Sequence, residues 1–162
     1  MKTGAIVLLC SLVLCSWAYA TTTHLVATID GDQANMGAGT GSPGTGSATL
    51  TYDDATNLFS WDISWSGLSG SITLAHFHGP ASMAQNAGVQ VDIGGTSGLT
   101  SPSIGSATLT NEQATDLLNE LWYINIHTTV NGGGEIRGQV LVDDTVPVDA
   151  ATWAAVKALY RR

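Results

Sequence analysis

Phe59, Trp61, Ile63 and Trp65 alternate with Ser60, Asp62 and Ser64. A period of two that carries aromatic residues marks a strand buried on one face. The same pattern recurs along the chain. His24–Ile29, Ser47–Tyr52 and Val89–Ile93 are short β-type runs, and Ile72, Leu74, His76 and His78 share one parity on another. Trp122–Thr128 and Glu135–Val142 flank Val130-Asn131-Gly132-Gly133-Gly134, a hairpin signal with a flexible tip. Gly67-Leu68-Ser69-Gly70 reads as a turn. Asp30–Gly46 is rich in glycine, serine and proline and is expected to be a mobile loop with no core face, and residues 94–105 a second loop of this kind. The exception to the β pattern is Thr110–Leu121, a short helix with Thr110 as N-cap and Gln113 three residues on, the spacing of a capping box. Turn signals at roughly 8–12 residue spacing predict an all-β fold, a Greek-key β-sandwich of seven to eight antiparallel strands with one short helix. Gly46-Ser-Ala-Thr-Leu-Thr51 recurs as Gly105-Ser-Ala-Thr-Leu-Thr110, either a duplicated β-unit or a chance match of simple strands.

The two ends differ from this body. Residues 1–20 begin with Lys2, continue through the apolar stretch Ala5–Leu14 and finish in Ala18-Tyr19-Ala20, the three parts of a secretory signal with cleavage after Ala20. Both cysteines, Cys10 and Cys15, fall inside it, so the exported chain must fold on its core without a disulfide. After Asp143-Asp144, Ala150–Arg162 is alanine-rich, with Trp153, Val156, Leu159 and Tyr160 on one broad face. The expected organisation is a signal peptide at 1–20, a β-domain at 21–144 and a C-terminal amphipathic helical tail at 145–162. The location is then secreted or periplasmic, with no transmembrane segment after cleavage.

Charge narrows the function. Lys+Arg is 5 against Asp+Glu 13, a formal charge of -8. A chain this acidic, with no basic stripe, excludes nucleic acid as a natural partner. Between Thr21 and Val156 the one cation is Arg137. No nucleophile elbow, phosphate loop, zincin motif or EF-hand spacing occurs, so the chemistry has to come from the histidines. His76 and His78 stand two apart on a strand, which puts both imidazoles on one face. His127, on the run Tyr123–His127, can supply a third ring, and His24 is a candidate fourth. Imidazoles alone suit copper, and zinc less well, since structural zinc sites usually draw on thiolates. Alternatively, His76 and His127 hydrogen-bond the backbone and pin strands, while Arg137 pairs with Glu135, Asp92 or another of the many carboxylates as a tie.

Three motifs in order, His76-Phe-His-Gly-Pro-Ala81, Tyr123-Ile-Asn-Ile-His-Thr128 and Gly133-Gly-Glu-Ile-Arg-Gly-Gln139, resemble the CHRD (chordin) domain, and the resemblance runs roughly from His24 to Val142. It implies an extracellular β-domain. CHRD domains occur in chordin, which binds growth factors, and in many bacterial secreted proteins. A non-catalytic adhesion or matrix module, with an extracellular or envelope protein as partner, is therefore one expected function. More distantly, a His-x-His strand, a late histidine and a glycine-rich turn leading to arginine resemble the copper-zinc superoxide dismutases. That likeness implies copper on His76, His78 and His127 and an anion-binding role for Arg137. The hairpin about Asn131-Gly132 would set His127 opposite or next to it. The chain departs from the dismutases in having no histidine between residues 79 and 126, no zinc cluster and no disulfide. Metal binding is therefore expected ahead of dismutase turnover, and an enzyme is the less favoured reading.

Overall fold

In the computed structural model, the described residues are 21–145. The signal segment 1–20 and the predicted helix Ala150–Arg162 lie outside them. Nine strands form one antiparallel sheet: β1 (Thr22–Asp30), β2 (Thr45–Asp53), β3 (Leu58–Ser66), β4 (Ile72–His78), β5 (Val89–Asp92), β6 (Ser103–Thr108), β7 (Tyr123–Thr128), β8 (Ile136–Gln139) and the two-residue β9 (Leu141–Val142). Their order is β5-β4-β7-β8-β1-β2-β3-β6, with β9 added against β1. The order brings the late strand β8 beside the first strand, so the chain closes on itself in the Greek-key manner. The β8–β1 seam is a single Cα pairing, Asp30 with Arg137. The sheet therefore divides into two four-stranded halves that fold face to face and nearly close, the expected all-β sandwich with a barrel-like wrap.

The core between the halves is aromatic. The alternation on β3 delivers Phe59, Trp61 and Ile63 inward, each at most 2% exposed. Phe59 meets Phe77 of β4 edge-on at 4.9 Å and Trp122 at 5.8 Å, and Trp61 meets Phe77 at 5.4 Å. Edge-to-face pairs at these separations stabilise beyond their buried area. The repeated segments lie on either side of β3, Gly46 paired with Trp65 and Gly105 with Trp61. In each copy a glycine makes room opposite a tryptophan. The predicted helix is present as α2, Asn111–Leu118, with Thr110 and Gln113 forming the reciprocal capping box.

Two loop expectations are corrected. Residues 94–105 are not all loop: Ile93–Ser97 form a helical turn, called α1 here, N-capped by Asp92, which accepts from the Gly95 amide at 2.8 Å. It bridges the two edge strands, and Trp61 Nε1 donates to Ser97 Oγ at 3.1 Å. The Asp30–Gly46 segment has a core face after all, since Ala34 is 1% exposed. It is also tied down. Gln33 donates to Thr28 O and accepts from the Gln139 amide, and Thr40 Oγ1 donates to Glu135 O at 2.8 Å. Small polar residues that suggest a loose loop are here the hydroxyl donors that fix it.

Glu135 is the centre of that fixing. It is fully buried and takes no cation. Its Oε1 accepts from Ser42 Oγ at 2.6 Å, from the Ser69 amide at 2.6 Å and from Ser69 Oγ at 2.8 Å, and its Oε2 from Thr128 Oγ1 at 2.5 Å. Burial alone would raise the carboxyl pKa, but the hydrogen bonds from Ser42, Thr128 and Ser69 outweigh it and bring the value down to about 2. A folded value below the unfolded one gives stability that is complete above about pH 4.5 and lost as pH falls toward about 2. Glu135→Gln is expected to lower stability at neutral pH and to flatten this acid dependence, read by urea melts across pH. Phe77→Ala should cost about 3–5 kcal/mol by the same measurement, as a large aromatic lost from a closed core.

Candidate metal centre

β4 buries Ala75 and Phe77, both 0% exposed, in the aromatic core. Its other face therefore carries His76 and His78. On β7, Ile124 and Ile126 point inward and Tyr123, Asn125 and His127 share the outer face with those histidines. The register sets His76 opposite Asn125, His78 opposite Tyr123 and Leu74 opposite His127, with an irregularity between Ile72 and Leu74. His127 thus lies diagonal to His76. Ring centroids are 5.3 Å apart for His76 and His127, 5.4 Å for His76 and His78, and 6.0 Å for His78 and His127. One nitrogen from each ring lies within 4.8 Å of the others.

This outer face is covered by two connections. One, following β4, brings the Ala87 carbonyl to His78 Nδ1 at 3.0 Å. The other, the β7–β8 hairpin, brings the Gly132 carbonyl to His127 Nδ1 at 3.0 Å. A carbonyl only accepts, so each Nδ1 must carry the proton and each Nε2 must present a lone pair. Both Nε2 atoms are buried without a hydrogen-bond partner, as is Nδ1 of His76. Asp92 Oδ1 stands 3.9 Å from Nε2 of His76, beyond hydrogen-bond reach. The three orphaned nitrogens belong to the three converging rings. Gly134 keeps the hairpin close: at φ 120° it adopts a backbone that side chains avoid, and a Cβ there would collide with Asn125.

Burial depresses the pKa of His78, the hydrogen bond to Ala87 partly offsets this, and the neighbouring His76, His127 and Arg137 depress it further. Burial likewise depresses His127, opposed by the bond to Gly132 and assisted by His76. The His78 and His127 rings thus stay neutral, and able to ligate, to lower pH than a free imidazole.

The fourth histidine is not brought into the group. His24 is exposed on β1, paired with Thr51. Arg137 is paired with Asn125, so it sits one step along from His127. Its guanidinium is 2% exposed and lies 3.6 Å over the Tyr123 ring, which stacks on His78 at 5.1 Å. It donates to Gln85 O at 2.8 Å, Ser82 O at 3.0 Å and Gln139 Oε1 at 3.2 Å. The expected tie to Glu135 or Asp92 is absent among the described residues: hydroxyls and an amide satisfy Glu135, and neutral oxygens take the Arg137 Nη donors while its Nε is left without a partner.

The CHRD domain family model matches residues 25–140. The chain belongs to the CHRD domain family. No curated protein and no solved structure matches it. The matched span holds His76, His78, His127 and Arg137 and stops one residue short of His24. CHRD domains are extracellular, and no helix among the described residues is long and apolar enough to cross a membrane.

Sequence reasoning missed the parts of this CHRD site that act on the rings. Tyr123 and Asn125 were legible in principle from their shared parity with His127 on β7. The Ala87 and Gly132 carbonyls carry no side-chain signal at all. In the metal-free protein, proton titration of the His78 and His127 ring resonances is expected to give midpoints below the ordinary imidazole value of about 6.5. Stability from these groups is present above that value and is lost as pH falls through the depressed midpoints. Midpoints at or above it would show open, solvated rings.

Proposed function

We propose that the protein is an exported copper-binding module whose metal is held by His76 Nδ1, His78 Nε2 and His127 Nε2. The observation that carries this reading is a group of three converging imidazoles, each with one buried nitrogen that has no hydrogen-bond partner. A buried polar atom left unpaired costs about 1–3 kcal/mol, and three in one place call for a common electrophile. Backbone acceptors on the far nitrogens of His78 and His127 supply the outer hydrogen bonds by which ligating histidines are oriented and made more basic. An all-imidazole set without thiolate favours copper over zinc, which also stands below copper in intrinsic affinity. Family membership and the signal-like residues 1–20 support an extracellular or periplasmic setting. There the module would bind metal and an envelope or matrix partner rather than turn over a substrate.

The protein is expected to bind one Cu(II) per chain with an electron paramagnetic resonance signal showing nitrogen ligation. His78→Ala and His127→Ala should each weaken binding by about 10-fold or more while the chain still melts cooperatively. His24→Ala should leave binding unchanged. Loss of neither signal nor affinity in the His78 and His127 variants would refute the assignment.

A further inference from the structure

Beside the histidine cluster lies a cleft of about 400 Å³ lined by Asn35, Thr40, Asn86, Asn131, Arg137 and the Gly133–Gly134 backbone, with Gly39 and Asn125 completing its wall. Its composition is unusual for this chain. No aspartate or glutamate lines it, although acidic residues outnumber basic ones 13 to 5 overall. The one lysine or arginine among the described residues does line it. No apolar or aromatic side chain lines it either, so it offers neither a hydrophobic slot nor a stacking platform.

The walls are built rather than loose. Thr40 is tied to the Glu135 carbonyl, Asn125 Nδ2 donates to Gly133 O at 3.2 Å, and the hairpin is closed by the Gly134 amide on Asn131 O at 3.1 Å. Arg137 holds the opposite rim through Ser82 O and Gln85 O. These acceptors are neutral. The only ion pair among the described residues is His76 with Asp92, so the buried guanidinium has no carboxylate to balance it. Its Nε is buried and unpartnered. A buried cation without a counter-ion, beneath a cleft free of carboxylates, produces a local positive potential in an otherwise repelling surface. The carboxamides of Asn35, Asn86 and Asn131 make no hydrogen bond to another described residue and supply neutral N–H donors at the mouth.

We infer that this cleft is a binding site for a small anion with oxygen acceptors, a carboxylate or a phosphate, held by asparagine carboxamides over the buried charge of Arg137. Arg137 then acts through its field, since three of its donor contacts are already spent on the protein. The inference stands apart from the copper reading, because the cleft and its charge are complete without a metal.

The test is amide chemical-shift titration of the metal-free protein with malonate, with inorganic phosphate and, as an ionic-strength control, with chloride. Saturable shifts centred on Asn35, Thr40, Asn131, Gly133 and Gly134 are expected with malonate or with phosphate, and which of them saturates identifies the acid class. Asn86→Asp and Asn131→Asp, exposed or half-buried loop changes that should leave the spectrum dispersed, are expected to weaken binding by at least about tenfold by placing a like charge at the mouth. Shifts that chloride reproduces, shifts scattered over the surface, no saturation with either anion, or full binding by both aspartate variants would each overturn the inference. Failure of copper to bind would leave this result unaffected.

Discussion

Two backbone carbonyls set the histidine face of this CHRD domain. Ala87 O and Gly132 O each accept a hydrogen bond from the Nδ1–H of a histidine, which leaves the lone pair on Nε2. Without those acceptors the rings could choose either tautomer, rotate toward solvent or donate to one another. With them, His78 and His127 become fixed donors of electron density facing a third ring. The rest of the architecture serves to hold these carbonyls in place. β4 and β7 bury their aliphatic and aromatic faces in the sandwich, which commits the histidine face outward, and the two connections then fold back over it.

The same economy appears in the buried charges. Glu135 and Arg137 are neighbours in parity on one short segment, yet they do not pair. Glu135 knits three chain segments through hydroxyl and amide donors. Arg137 knits the connection after β4 to β8 through carbonyls and rests on Tyr123. Unpaired in this way, the guanidinium lies close enough to His78 to depress its proton affinity.

Much of this was legible before any fold was known. Alternation on β3 and the shared parity of His76 and His78 are backbone consequences of a strand, so they survive any tertiary arrangement. The capping box of α2 is equally local. What was not legible is what depends on contacts distant in the chain. The helical turn Ile93–Ser97 was hidden because Gly94-Gly95 reads as a break, whereas the Asp92 cap and the gap between the two edge strands stabilise it. The Asp30–Gly46 segment looked featureless because its partners, Glu135 and Gln139, lie far along the chain. The carbonyls that orient the rings belong to residues 87 and 132, an alanine and a glycine, whose side chains give no hint of a role.

The most direct measurement is the tautomeric state of the rings in the metal-free protein at neutral pH, read from long-range proton–nitrogen correlation spectra of the imidazoles. A three-histidine metal centre requires protons on Nδ1 of His78 and His127 and on Nε2 of His76, leaving one bare nitrogen on each ring for the metal. A proton found on Nε2 of His78 or of His127 would place a donor where a ligand atom must be and would contradict it.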